Sequence, residues 1–172
     1  MIKKIAVTGP ESTGKSAMAE KLAIDLNTVW VPEYAREYIG KLNRPYTSKD
    51  IEIIARHQIA LEDELLTKAN GVLICDTDLI VTKIWSDFVF GFCPDWIENE
   101  IVNRPYDLYL LMNIDLPWQE DPQREHPDRR EELFNNYKFT LEKYQLPYSV
   151  ISGIGKNRQN NAREVIKSHR LI

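Results

Sequence analysis

The segment Ile5-Ala6-Val7-Thr8-Gly9-Pro10-Glu11-Ser12-Thr13-Gly14-Lys15-Ser16 limits what this chain can fold into more than any other stretch. It reads as a short apolar strand, then Gly-x-x-x-x-Gly-Lys-Ser, then the start of a helix, which is the phosphate-binding P-loop in its required setting. Gly9 and Gly14 let the backbone wrap a phosphate so that successive N–H groups point at its oxygens. The positive end of the following helix adds to that field. Lys15 would put a point charge on the terminal phosphates, and the Ser16 hydroxyl could ligate Mg²⁺. The loop from Gly9 through Glu11, Ser12, Thr13 and Gly14 to Ala17 is therefore the expected ATP site, with Arg158 joining it from beyond the last strand.

The rest of the chain alternates in the way such a loop needs. Helix signals cover 16–26, 33–40, 47–69, a stretch ending near Val89, 96–102, 128–144 and 161–170. Short apolar strands fall at 29–31, 72–75, 108–112 and 148–151. Thr47 with Asp50 three residues on is a capping-box signature. The run Val72-Leu73-Ile74-Cys75 is apolar throughout, as expected of a strand covered on both faces. Strands alternating with helices predict one α/β domain over 1–172, its sheet mainly parallel and helix-covered.

Composition removes several classes of function. With 22 basic and 26 acidic residues the net charge is −4, which gives no general attraction to nucleic acid or anionic lipid. Apolar runs are strand-sized, so no membrane span is expected. Met1-Ile2-Lys3-Lys4 leads into the P-loop strand with no signal-peptide h-region. Cys75 and Cys93 have no His at zinc-ligand spacing, and reducing cytoplasm is the expected compartment. His57, His126 and His169 lack partners at metal or catalytic spacing. Oligomeric state is not legible in the sequence.

Ligands of parallel α/β sheets sit at the carboxyl ends of the strands. There the sequence gathers Glu33 and Arg36, Asp76 and Asp78, then Trp118 and Asp121 ahead of Arg124, Arg129 and Arg130. Asp76 follows four apolar residues and suits a Mg²⁺ ligand beside Ser16, although a strand-end Asp can also cap the next helix, and Asp78 reads equally as a ligand or as such a cap. Glu33, Asp76 and Asp78 could each orient an attacking hydroxyl. The Pro- and charge-rich segment 115–130 reads as a lid whose arginines close over a triphosphate, or as an exposed charged loop. Trp118 in such a segment either plugs the core or stacks on a flat ring.

Pro32-Glu33-Tyr34-Ala35-Arg36-Glu37-Tyr38, Asp76-Thr77-Asp78 and the stretch from Asp115 to Arg124, taken with the P-loop, resemble the ribosylnicotinamide kinase domain of NadR-type NAD-salvage proteins. The resemblance implies a nucleoside-monophosphate-kinase-like P-loop NTPase fold, a three-layer sandwich with a five-stranded parallel core and a lid. It implies ATP- and Mg²⁺-dependent phosphorylation of the 5′-hydroxyl of nicotinamide riboside, a small-molecule nucleoside. Lys15, Asp76, Glu33, Arg124 and Arg129 would then act on the phosphoryl group, with Ser16 and Asp76 at the metal. Glu33, Arg36, Asp78, Trp118 and Asp121 would line the nucleoside pocket, the Trp118 indole facing the cationic pyridinium. Multifunctional members add a helix-turn-helix and an adenylyltransferase domain. This sequence opens on the P-loop strand, so neither of those activities is expected. The alternatives are a kinase of another nucleoside or nucleotide, and a slow ATPase switch signalling through Trp96 and the Phe88–Phe92 aromatics.

Overall fold

In the computed structural model, which describes Met1–Ile172 throughout, five parallel strands form one sheet in the order β2-β3-β1-β4-β5. They are β1 (Lys3–Thr8), β2 (Trp30–Val31), β3 (Val72–Asp76), β4 (Leu108–Met112) and β5 (Tyr148–Ile151). Seven helices connect and cover them: α1 (Lys15–Asp25), α2 (Tyr34–Gly40), α3 (Ser48–Leu66), α4 (Leu79–Phe90), α5 (Asp95–Asn103), α6 (Arg130–Lys143) and α7 (Gly155–Ser168).

Side chains alternate across the pleat, and this divides the core in two. Ala6, Leu73, Cys75, Tyr109 and Leu111 face one layer with buried residues of α3, α4, α5 and α6. Ile5, Val7, Ile74 and Leu110 face the other, packed on Met18 and Leu22 of α1 and Ala162 and Ile166 of α7. Both faces of β3 and β4 are buried, which is why their sequences run apolar without alternation. The expected three-layer parallel sandwich is the fold observed.

Two local expectations fare differently in the fold. The Thr47 capping box forms, its N–H donating to Asp50 Oδ2 at 2.7 Å. The last helix, by contrast, starts at Gly155 rather than near Asn161. Its first turns, Lys156-Asn157-Arg158-Gln159-Asn160, are polar and carry no apolar periodicity. What anchors them is Arg158, only 4% exposed, and a buried arginine leaves no hydrophobic signature.

The β1 strand lies between β3 and β4; the chain leaves it for β2 on one side and crosses from β3 to β4 on the other. That makes the carboxyl end of β1 a topological switch point, where α/β sheets open a crevice. No helix is long and apolar enough to cross a membrane.

Candidate functional site

Backbone shape builds the first part of the site. After β1 the chain turns at Gly9, with φ +130°, so close beneath β4 that a Cβ there would lie 3.0 Å from the Met112 carbonyl oxygen. Only glycine fits such an approach. The loop then passes Ser12, itself at φ 57°, and enters α1 at Gly14. No side chain caps that helix, so its first N–H groups stay free to meet an anion. Thr13 Oγ1 donates to the Pro10 carbonyl at 2.8 Å, and Lys15 Nζ reaches back to the same oxygen at 2.9 Å. The ammonium therefore lies folded over the mouth of the loop.

Next come the carboxylates of β3. Val7 and Asp76 are register partners in neighbouring strands, which puts Asp76 beside the P-loop. It is 3% exposed, and its Oδ1 has no hydrogen-bond partner. Burial, reinforced by the nearby Glu33 carboxylate, pushes its pKa up to about 6, while the Ser16 hydroxyl, Lys15 and Arg36 pull the other way. Asp78 has a different task. Its Oδ1 caps α4, accepting from the N–H groups of Ile80 at 2.8 Å and Val81 at 3.0 Å. Burial raises its pKa to about 6 as well. Glu33, at the start of α2, leaves its carboxylate out of the cap and lines the cavity described next.

A cavity of about 900 Å³ opens above the P-loop. One wall is the loop from Gly9 to Ala17, and another is Glu33, Ala35, Arg36 and Ile39 of the α2 region. Tyr46, Val81, Ile84, Trp85 and Phe88 make an apolar and aromatic end, with Leu133 and Tyr137 of α6 behind. The Tyr46 and Trp85 rings meet edge-on at 5.0 Å, and Trp85 Nε1 donates to the Tyr46 hydroxyl at 3.1 Å. This space can hold a flat ring at the aromatic end with a phosphate chain on the loop.

The 115–130 segment forms the roof. Gln119 N donates to Ser12 Oγ at 2.8 Å, and the N–H groups of Glu125 and His126 both reach Glu11 Oε2 at 3.2 Å. Arg124 Nη1 bonds the Gln119 carbonyl and lies 3.5 Å from Ser12 Oγ. Arg130 donates to the carbonyls of Leu116 at 2.9 Å and Ser12 at 3.1 Å. Its pKa is lowered by burial and by the cations Arg124 and Arg158, the signature of positive charge gathered where an anion would neutralise it.

Several expected residues stand elsewhere. Arg129 pairs with Glu132 through two 2.7 Å bonds and lies over the Phe88 ring, away from the loop. Arg158 is buried under the P-loop rather than facing the cavity. It pairs with Asp115 and donates to the carbonyls of Thr13 at 3.1 Å, Asn113 at 2.8 Å and Gly153 at 3.0 Å. Trp118 is half-buried outside the lining, its Nε1 on Glu120 at 3.1 Å and its ring 6.0 Å from the Arg130 guanidinium. Asp121 is tied to Arg36 in an ion pair at the rim. Trp96 donates to Glu52 at 2.8 Å beneath Arg56. The cavity lining therefore gathers Gly9 to Ala17, Glu33, Arg36 and Arg124, with Asp76 buried beside the loop, and leaves Asp78, Trp118, Asp121, Arg129 and Arg158 outside it.

Sequence reasoning missed Tyr46, Trp85, Tyr137 and His126 as lining residues. His126 packs edge-on against Phe88 at 4.7 Å, its buried Nε2 without a hydrogen-bond partner and 3.8 Å from Glu125 Oε2. Trp85 and Tyr137 sit at helical spacing among apolar neighbours, so their pattern is that of ordinary core. Tyr46, alone before the α3 cap, carried no signal.

Residues 4–158 match the family described as an AAA domain. The trifunctional NAD biosynthesis/regulator protein NadR of Salmonella typhimurium is 29% identical over 127 residues, 72% of this chain and 31% of that protein. The chain thus spans about a third of the length of that relative. A NadR structure in complex with NR superimposes with a TM-score of 0.82 at 20% identity, covering 98% of this chain and 50% of that one. A NadR structure with NAD and AMP-PNP gives 0.79 at 21% identity over 99% and 50%. Thymidylate kinase from Ehrlichia chaffeensis gives 0.67 at 16%, covering 96% of this chain and 97% of the kinase. At these identities the structures establish a shared fold, that of nucleoside and nucleotide kinases.

Proposed function

Because this chain belongs to the AAA domain family, whose pattern spans residues 4–158, we propose that it is an ATP-dependent kinase that transfers the γ-phosphoryl group to the 5′-hydroxyl of nicotinamide riboside. The observation that carries this reading is one cavity with the P-loop on one side and the Tyr46–Trp85 aromatic end on the other. A switch that only hydrolyses ATP needs no aromatic chamber facing the phosphates. The likeness to NadR supports the choice of nucleoside.

Phosphoryl transfer of this kind rests on positioning and charge, since the transition state is loose. The free amides at the start of α1 and the Lys15 ammonium hold the triphosphate. Arg124, carried by a lid over 115–130 and lining the cavity, neutralises the charge that develops on the transferring group. Glu33 orients the acceptor hydroxyl and takes its proton. The Tyr46–Trp85 end receives the flat cationic pyridinium, whose charge favours the π face of an aromatic ring.

Mg²⁺ fits this site. Asp76 Oδ1 is buried with no partner beside the P-loop, and the Ser16 hydroxyl is exposed at the start of α1. A cation held by one carboxylate, one hydroxyl, waters and phosphate oxygens does not need a cluster of three or more ligating side chains. When bound, it would supply positive charge that neutralises the triphosphate.

The test is incubation with ATP, Mg²⁺ and a panel of nucleosides. Nicotinamide mononucleotide should form well above background hydrolysis. A panel without any monophosphate product would overturn the kinase, and a different preferred nucleoside would overturn the substrate.

A further inference from the structure

Three elements distant in sequence meet at one hydroxyl. Trp85 Nε1 on α4 donates to the Tyr46 hydroxyl at 3.1 Å, and that hydroxyl donates to Glu125 Oε2 at 2.7 Å. The backbone N–H of the same Glu125 is held by the Glu11 carboxylate of the P-loop, 3.2 Å from Oε2. One residue of the roof is thus gripped through its side chain by the aromatic end and through its main chain by the phosphate loop.

Tyr46 is a firm anchor for such a contact. It precedes the α3 cap, where Asp50 takes two bonds from Arg44 at 2.7 and 2.8 Å, one from Tyr38 at 2.8 Å and one from the Thr47 N–H at 2.7 Å. These bonds hold the Asp50 carboxyl well below the usual carboxylate range, the Arg44 bonds contributing most. Burial, with Glu125 adding to it, pushes the Tyr46 phenol up to about 12, so it stays a donor at physiological pH. Glu125 itself lies near the surface of a segment with no regular structure beyond the turn at 127–129. The weak member is the roof, and the two strong members pin it.

We propose that Glu125 is a positioning residue that couples the two halves of the cavity, seating the roof on the phosphate loop only when the Tyr46–Trp85 end is in register with it. For its acceptor side this presupposes the kinase reading above. The coupling makes occupancy of the aromatic end felt at Arg124, the neighbouring residue, and occupancy of the phosphate loop felt at Trp85. Linkage requires the effect to run both ways.

The experiment compares the full chain with Glu125→Ala, which removes the acceptor of the Tyr46 bond, and Glu125→Gln, whose amide oxygen restores it. The backbone bond to Glu11 is untouched in both. Proteins are labelled with 5-fluorotryptophan and the Trp85 ¹⁹F line is assigned with Trp85→Phe. AMP-PNP and Mg²⁺ are then added without any acceptor. The Trp85 line should move in the wild type and in Glu125→Gln and stay put in Glu125→Ala. A line that moves equally in Glu125→Ala reports direct contact and overturns the coupling, as does a line that never moves in the wild type. At equilibrium, Glu125→Ala should weaken nicotinamide riboside binding in the presence of AMP-PNP about fivefold, and AMP-PNP binding in the presence of nicotinamide riboside by the same factor, with each ligand alone changing by less than about twofold and Glu125→Gln near wild type. Equal behaviour of the two variants would contradict the proposal. If no nucleoside is phosphorylated while the fluorine result holds, the substrate reading falls and the coupling stands.

Discussion

The phosphate loop and the aromatic end of the cavity face each other, yet they are made in opposite ways. The loop is eight consecutive residues, Gly9 to Ser16, whose function resides in backbone N–H groups and two glycine conformations. The aromatic end takes Tyr46 from a loop, Trp85 and Phe88 from α4 and Tyr137 from α6, and its function resides in side-chain surfaces. The difference teaches where each half is vulnerable. A local cradle fails by losing one charge or one glycine, whereas an assembled wall loses affinity by degrees.

Breaking the loop should have the largest effect. Lys15→Ala should lower kcat/KM for ATP by about two orders of magnitude or more, as for other preorganised electrostatic groups. Steady-state turnover with a coupled assay measures this, and near-normal activity would leave the cradle without its assigned charge. On the opposite wall, Trp85→Ala should raise the acceptor KM about tenfold, roughly the 1–3 kcal/mol that stacking on a base contributes. Its ATP KM should stay within about twofold. Equal changes in both constants would mean that the two halves are not separate subsites.

The boundary between the halves is sharpened by pH. Asp76 titrates near 3.8 when unfolded and at about 6 in the fold. Between those values the native state holds more protons than the unfolded one, so this group makes stability fall as pH rises through the window. Asp76→Asn should therefore be more stable than wild type at pH 7.5 by roughly 1–3 kcal/mol, an advantage that shrinks as pH approaches 4. Thermal melts across pH 4–8 check it, and the same variant should lose Mg²⁺-dependent turnover. Equal melting temperatures throughout would show that Asp76 carries no buried charge. The smallest effect is expected at Trp118, which lies outside the cavity lining. Trp118→Ala should change both KM values by less than about twofold, and a selective rise in the acceptor KM would move the pyridinium to the Trp118 side.

The arginines show how far reading along the chain can go. Arg124, Arg129 and Arg130 share one polar segment and look equivalent in sequence. Folding gives each of them different partners. Arg130 meets the Ser12 carbonyl at 3.1 Å, while Arg129, one residue earlier, is spent on Glu132 and Phe88. Arg158 follows the same logic. Its position after β5 suggested a nucleotide contact, but Asp115 and three backbone carbonyls claim its guanidinium beneath the loop. Asp78 was readable either as a ligand or as a cap, and its bonds to Ile80 and Val81 make it the cap of α4.

By itself the sequence determined the parallel sheet, the phosphate cradle and the Asp76 carboxylate beside it. Each follows from local rules: strand and helix periodicity, glycine conformations, and a carboxylate at the end of an apolar run. Only the tertiary structure decided which arginines line the cavity and which aromatics form its far end. Those choices depend on helix rotation and on contacts between segments tens of residues apart, such as Tyr46 with Trp85 and with Glu125. An aromatic residue in a helical stripe reads the same whether it fills a core or faces a substrate, because burial draws both to the same side.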